Sequence, residues 1–208
     1  EELALEIQTK MNRAVTKDDY VSLVYRMAPK FGVVKRANVV RDNTSFKRNL
    51  NVYVVSENQQ GFLSETPSSV KDNLKTWLNH YRMINDTIDI LDGKVVNIGI
   101  EFQLISKPEA NTTDVLNKAI AVLKEYYSNK LLMGTPFYIS EIYQLLNDIK
   151  EVVDTKNVKI VNRFGSGYST TSYDIESNIS SDGRFVFVPE DTVLEIRYPN
   201  IDIIGVVE

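Results

Sequence analysis

The sequence has no cysteine and only one histidine among its 208 residues. The lack of cysteine excludes disulfide bonds, thiolate metal sites and a cysteine nucleophile. His80 is the only histidine that a serine nucleophile could use as a base, and it lies two residues after Leu78 on the polar flank of a predicted helix. A histidine in that position is expected to be solvated or to cap the helix. The sequence therefore gives little support to nucleophilic catalysis, and we predict that the protein is not an enzyme.

Positive charge and long apolar runs are also scarce. The 24 Lys and Arg residues are spread along the chain and are outnumbered by 28 Asp and Glu, which gives a formal net charge of −4. A general nucleic-acid binder needs clustered Lys and Arg to neutralise phosphates, and a membrane span needs roughly 20 consecutive apolar residues. We therefore predict neither a nucleic-acid partner nor a membrane partner. Because the sequence starts at Glu1-Glu2, with no initiator methionine and no signal-peptide pattern, we expect a fragment of a longer chain.

The clearest local pattern runs from Asn51 to Ile105. Val52–Val55 is a β-favouring run that ends at a polar loop. Thr66-Pro67 predicts the start of a helix, with the Thr66 hydroxyl as its cap. The apolar positions of this helix recur on one face, which predicts that Trp77 anchors a core. These positions are Val70, Leu74, Trp77, Leu78 and Tyr81.

Two strands are predicted after this helix. Ile88 and Ile90 alternate with Asp89, and a second alternating apolar and polar run extends to Leu104. Asp92-Gly93 between them favours a tight hairpin, because both central residues of such a turn have positive φ. The whole segment is thus predicted to form a β-α-β-β unit whose sheet has one solvent-exposed face.

Helix starts are predicted on both sides of this unit. Thr16 and Asp19 form a variant capping box. Asn111–Asp114 would cap a second helix, and Ser140 precedes a third. Together with the strands, these helices predict an α+β fold with mixed sheets, helices packed on one face, and two or three small subdomains.

Four segments are predicted along the chain. An N-terminal helical segment is expected at 1–15, a first α/β unit at 16–108, and a second unit of helix and strand at 109–164. The last segment, 165–208, contains C-terminal strands after a stretch rich in Ser, Thr, Gly and Asn between Gly165 and Gly183. That composition is typical of a long surface excursion.

Two sets of residues suggest alternative functions. Asp86, Asp89 and Asp92 recur at every third position and could offer oxygen ligands to Mg²⁺ or Ca²⁺. A metal-assisted hydrolase using Asp86 and Asp92 is therefore one alternative, although strand alternation places Asp89 on the opposite face from the other two. Tyr53 and Phe102 could stack bases on a ferredoxin-like sheet, so a nucleic-acid binding module is another alternative. For the main interpretation we predict no catalytic residue, no metal ligand and no cofactor.

Several motifs carry a family resemblance, and they occur in order over residues 13–161. They are Arg13–Tyr20 before a helix, Phe31–Ala37 entering a strand, the strand at Val52–Val55, the capped helix to Tyr81, and Gly134-Thr135-Pro136 with Ser140–Tyr143. With these motifs the chain resembles the baseplate J-like proteins of contractile phage tails, and within that family the large wedge subunits of T4-type baseplates.

The resemblance implies a structural protein of the virion tail with no active site. It also implies self-association in the inner ring of the baseplate, as a homodimer or a ring, and contacts with other wedge subunits. Assembly in the host cytoplasm is implied in the same way. The resemblance further implies that this sequence is the C-terminal portion of a longer chain.

The two ends of the sequence supply the candidate interface residues. Near the start, an apolar stripe is too narrow to bury itself, because isolated helices of under about 12–15 residues are marginal in water. At the other end, apolar side chains crowd both faces of a terminal strand, which must be covered or left as an edge open to pairing. The predicted interface residues are Leu3, Ile7, Met11, Ile201, Ile203 and Ile204.

Overall fold

The computed structural model describes residues 13–42 and 48–208, with Arg48 described by its backbone only. Helices and mixed sheets are both present, which confirms the predicted α+β fold. The chain divides into two compact units that meet in sequence between Lys94 and Val95. Each unit has its own hydrophobic core.

The first unit is built on a sheet with β2 (Arg48–Glu57) at its centre. β1 (Arg36–Asp42) pairs with β2 in antiparallel orientation, and β4 (Asp86–Asp92) pairs with it in parallel orientation. The short β3 (Leu63–Ser64) pairs antiparallel with the end of β2. The strand predicted at Val52–Val55 is confirmed as the middle of this sheet.

Two helices cover one face of this sheet. α1 (Lys17–Arg26) begins with the predicted capping box: the Thr16 hydroxyl accepts from the Asp19 N–H at 3.1 Å, and the Asp19 carboxylate accepts from the Thr16 N–H at 2.9 Å. A 3₁₀ turn at Pro29–Phe31 leads from this helix towards β1. α2 (Ser68–Asn79) spans most of the helix predicted after Thr66-Pro67.

The predicted side-chain cap of α2 is wrong. Pro67 occupies the N-cap position and no side chain caps the helix. The Thr66 hydroxyl is buried instead, where it accepts a hydrogen bond from the Ser56 hydroxyl at 3.1 Å. Because this contact joins the start of the helix to β2, the hydroxyl serves tertiary packing rather than the free amides of the first turn.

The predicted apolar face of α2 does point into the core. Leu74 and Leu78 are fully buried, whereas Trp77 is only partly buried at the margin of the core. The Trp77 indole N–H donates to the Leu23 carbonyl oxygen at 2.9 Å, and its ring centroid lies 4.9 Å from that of Tyr81. Trp77 therefore joins α2 to α1 more than it fills the centre of the core.

The second unit is built around the long strand β5 (Lys94–Ser106). β7 (Val152–Arg163) pairs with β5 in antiparallel orientation, and β10 (Ile203–Val207) pairs with it in parallel orientation. β9 (Thr192–Glu195) also pairs with β5. A separate two-stranded ladder joins β6 (Phe137–Tyr138) to β8 (Phe185–Val186).

The helices of this unit pack against the sheet. α3 (Thr112–Tyr127) is capped by the Asn111 side chain, which accepts from the Thr113 N–H at 3.0 Å, and it packs against β10. α4 (Ile139–Asn147) packs against β7 and begins one residue before the predicted cap at Ser140. The remaining helical segments are a 3₁₀ turn at Glu176–Asn178 and the short α5 (Pro199–Asp202).

The predicted hairpin at Asp92-Gly93 is wrong, and so is the predicted boundary at 108. Gly93 is not among the glycines with positive φ, and its N–H donates to the Val54 carbonyl oxygen at 2.9 Å. The residues from Val95 to Ile100 are all buried, so β5 is covered on both faces and needs a central place in a sheet. The second unit provides that place, and it also includes segments 109–164 and 165–208 because β7, β9 and β10 all pair with β5.

Candidate assembly surface

The strand β10 lies at an edge of the second sheet. Within residues 13–42 and 48–208, its only strand partner is β5. Beyond the end of β10, the Glu208 N–H donates to the Leu104 carbonyl oxygen at 2.9 Å and the Ser106 N–H donates to the Glu208 carbonyl oxygen at 2.8 Å. Both backbone groups of Glu208 therefore point towards β5.

This pairing fixes the direction of the other backbone groups of β10. In a parallel ladder, alternate residues direct their N–H and C=O groups to the same neighbour. Val206 and Ile204 therefore bond to β5 as Glu208 does, whereas Ile203, Gly205 and Val207 direct their N–H and C=O groups away from the sheet. Such a row of outward groups is a template for pairing with another strand.

Apolar side chains lie beside this edge. Ile204 is 45% exposed and Val206 is 52% exposed. They project on the side of the sheet opposite α3, because the alternate residues of β10 face the core. The two side chains line a shallow depression of ≈ 190 Å³ together with residues of β5 and β7. The other lining residues are Glu101, Phe102, Gln103, Asn157 and Lys159.

The predicted interface residues fall into three groups in the structure. Ile204 is exposed on β10, and Ile201 is 64% exposed on α5. Ile203 is only 2% exposed and belongs to the core of its own unit, so its side chain is not available to a partner in this fold. The candidates Leu3, Ile7 and Met11 lie outside the described residues. Val206 lies on the same strand and, unlike Ile203, has an exposed side chain.

A buried carboxylate fixes the start of β10. Asp202 is fully buried; it accepts from the Tyr168 hydroxyl at 2.7 Å and from the Tyr198 N–H at 2.8 Å. The Arg163 guanidinium lies 3.8 Å from the same carboxylate. Burial and the hydrogen bond to Asp202 raise the pKa of Tyr168 to about 12. Because these groups hold α5 in place, the strand that follows is presented in a fixed position.

A second buried group holds the polar excursion between Gly165 and Gly183. The Asn97 amide donates to the Glu195 carboxylate at 2.7 Å and its oxygen accepts from the Ser169 N–H at 2.6 Å. Asn162 accepts from the Tyr173 N–H at 3.0 Å and donates to the Asn97 carbonyl oxygen at 3.0 Å. The excursion is therefore tied to β5 and β7 at both Ser169 and Tyr173.

Sequence reasoning missed these buried polar residues. Each one interrupts an otherwise apolar run: Asn97 stands between Val96 and Ile98, and Asp202 stands between Ile201 and Ile203. A single polar residue that is buried among apolar neighbours needs a hydrogen-bond partner. That interruption is the signal that could have marked both positions.

The acidic residues of β4 are each engaged within the first unit. Asp86 is buried and accepts from the Tyr20 hydroxyl at 2.9 Å, which together with burial raises the pKa of Tyr20 to about 12. Asp89 lies 3.5 Å from the Lys75 ammonium and Asp92 lies 2.7 Å from that of Lys71. Throughout the part of the chain that the structure describes, no group of three or more His, Cys, Asp or Glu side chains could hold a metal ion.

The aromatic residues considered from sequence do not form a stacking surface. Phe102 is buried in the core of the second unit, so its ring is not accessible to a base. Tyr53 belongs to the first unit, on β2. His80 is exposed and occupies the C-cap position of α2. This agrees with the prediction that it is solvated or caps the helix. No helix within residues 13–42 and 48–208 has the length and apolar character needed to cross a membrane.

The chain is similar to solved structures but matches no family model or curated protein. Among solved structures, the chain aligns with a chain of the anti-feeding prophage baseplate, a six-fold symmetrised structure determined by cryo-electron microscopy. The alignment has 12% sequence identity and a TM-score of 0.48. It covers 95% of this chain but only 38% of that chain.

Proposed function

We propose that this chain is a structural subunit of a bacteriophage tail baseplate wedge. In this role it associates with itself and binds other wedge proteins to build the inner ring of the baseplate in the virion tail, after assembly in the host cytoplasm. The proposal is supported by the ordered motifs over residues 13–161 that resemble baseplate J-like proteins.

One structural observation carries the self-association part of the proposal. β10 has outward-facing backbone groups and two exposed apolar side chains, Ile204 and Val206, on a strand fixed by the buried Asp202. An edge strand of this kind is open to pairing with a further chain. A protein that forms part of a ring uses such a surface repeatedly through symmetry-related contacts.

The proposed role is structural and not catalytic. The acidic residues that could have served a metal-assisted hydrolase have partners of their own: Tyr20 for Asp86 and Lys71 for Asp92. The proposed function therefore depends on the surfaces through which the chain associates. Its first test is the mass of the protein in solution.

Sedimentation of the chain over a wide concentration range tests this proposal. We expect the chain to associate as its concentration rises, and we expect the double variant Ile204→Asp, Val206→Asp to remain monomeric because it places two carboxylates on β10. Val153→Asp is the matched control, since Val153 is 58% exposed on β7 of the same sheet. The control should associate as the parent does.

Two results would contradict the proposal. The first is a parent chain that stays monomeric at high micromolar concentration. The second is a folded double variant that associates as strongly as the parent, which would remove β10 from the interface. Circular dichroism of each variant shows whether it is folded.

A further inference from the structure

We propose, building on the self-association proposed above, that two copies of this chain join by antiparallel pairing of their β10 strands around a two-fold axis at Gly205. The strand that pairs with the open edge of β10 is therefore β10 of a second copy of the chain. The two sheets would become one continuous sheet across the dimer, through backbone hydrogen bonds made by Ile203, Gly205 and Val207.

The first argument is that β10 lacks the features that protect other edges. Natural edge strands are commonly blocked by charged residues, proline or a bulge. The other edge strands of five or more residues in the described part of the chain are β1, β4 and β7, and all three carry charges. By contrast, Ile203–Val207 contains no charge and no proline, and its register with β5 is continuous. The charged residues on these other edges are Arg36, Arg41 and Asp42 on β1, Asp86, Asp89 and Asp92 on β4, and Asp154, Lys156, Lys159 and Arg163 on β7.

The second argument is that the strand is complementary to itself. The residues with outward backbone groups are 203, 205 and 207, so an antiparallel partner must place odd-numbered residues opposite odd-numbered residues. A register centred on Gly205 pairs all five residues of the strand: Ile203 opposite Val207 of the second copy, Ile204 opposite Val206, and Gly205 opposite Gly205. Registers centred on Ile204 or Val206 pair fewer residues of the strand.

The side chains fit this register. Ile204 of one copy would lie against Val206 of the other, on both sides of the axis, and cross-strand pairs of β-branched residues stabilise a sheet. The charges next to the strand already have partners, because Glu208 is paired with Lys156 and Asp202 with Tyr168. The pairing therefore buries exposed apolar surface and brings no unpaired like charges together.

Disulfide trapping tests this register directly, because the chain has no cysteine of its own. Two variants are prepared separately, Ile204→Cys and Val206→Cys, and one carries a tag so that the mixed dimer is distinguished by mass. In the proposed register residues 204 and 206 of the two copies form a non-hydrogen-bonded pair, with Cα atoms about 4.5 Å apart, within the range of a disulfide. Residues 204 of the two copies are diagonal neighbours about 7–8 Å apart, beyond that range.

We expect mild oxidation of the mixture to convert most of the protein to the mixed disulfide dimer. Either variant alone should give little dimer, and so should Val153→Cys, the control on an exposed position of β7. A mixture that is no more cross-linked than the single variants would overturn the pairing. Preferential cross-linking of Ile204→Cys with itself would overturn the register.

Measurement of mass separates failure of this inference from failure of the proposed function. If the cysteine variants are dimeric by sedimentation under reducing conditions but do not form the mixed disulfide, the chain associates through another surface and the β10 pairing is wrong. If they are monomeric at every concentration and no mixed disulfide forms, both the pairing and the proposed self-association are wrong.

Discussion

The ring of Phe102 on β5 occupies the space beside Gly205 on β10, where any other residue would place its Cβ. An ideal Cβ on Gly205 would collide with Cζ and Cε2 of Phe102 and would lie 2.7 Å from Cδ1 of Leu116 on α3. The glycine thus allows a large core side chain and a helix to approach the edge strand closely. Gly205→Ala should lower the free energy of unfolding by about 1–3 kcal/mol, as overpacking of a core does, measured by urea denaturation.

A double-mutant cycle checks that Phe102 is the cause. Phe102→Ala removes the ring atoms that the new Cβ would meet, so adding Gly205→Ala to that variant should cost less than adding it to the parent chain. Equal costs in the two backgrounds would mean that the ring does not set the requirement for glycine.

Substitution of Trp77 tests the contact between α1 and α2. Because Trp77 is only partly buried, Trp77→Ala should destabilise by about 2–3 kcal/mol, below the 3–5 kcal/mol typical of a fully buried tryptophan. Leu78→Ala, at a fully buried position of the same helix, is the comparison and should cost about 2–5 kcal/mol. A loss below about 1 kcal/mol for Trp77→Ala in denaturant melts would show that this side chain contributes little to the core.

The capping box of α1 predicts a dependence of stability on pH. Backbone hydrogen bonds from Thr16 and Val15 lower the pKa of Asp19 below its ordinary value of 3.8. A carboxylate with a lowered folded-state pKa contributes stability above its unfolded pKa, and that contribution is lost as the pH falls through the folded pKa. The parent chain should therefore lose stability relative to Asp19→Asn as the pH is lowered from neutral to below 3.8.

Urea melts across this pH range measure the effect. Asp18→Asn is the control, because it removes a charge from the same helical turn and leaves the hydrogen bonds between Thr16 and Asp19 in place. If the two variants differ from the parent by the same amount at every pH, Asp19 is not the group responsible.

The buried Asp202 should be important for the position of β10. Asp202→Ala leaves the Tyr198 N–H and the Tyr168 hydroxyl without their acceptor, and an unsatisfied buried donor costs about 1–3 kcal/mol. Tyr168→Phe removes only one of these hydrogen bonds and should cost less. Limited proteolysis gives a second readout, since cleavage between Gly165 and Gly183 should become faster in the Asp202 variant. Unchanged cleavage would mean that the network does not hold the excursion.

Local features were predictable where neighbouring residues determine them. The capping box at Thr16 and Asp19 and the apolar face with Leu74 and Leu78 follow from residues within a few positions of each other. The strand at Val52–Val55 was equally clear from its β-branched side chains. In each case the physical cause lies inside a single element.

The pairing of strands and the buried polar contacts were not predictable in this way. β5 follows Asp92-Gly93 directly, yet it pairs with β10, which is about a hundred residues further along the chain. The hydrogen bond between Asn97 and Glu195 spans 98 residues, and that between Tyr168 and Asp202 spans 34. The prediction of Ile203 as an interface residue failed for the same reason, because the contact that buries it is distant in sequence. Only the tertiary fold shows that α3 covers the inner side of β10.

Amide hydrogen exchange at β10 tests the central claim most directly. Gly205 and Val207 point their N–H groups away from β5, whereas Val206 and Glu208 bond to it, so NMR can compare neighbouring amides in one strand. We predict that the Gly205 and Val207 amides exchange rapidly in dilute protein and become protected as the concentration rises, while Val206 and Glu208 are protected throughout. Exchange at Gly205 that stays rapid under conditions where sedimentation shows a dimer would contradict the account.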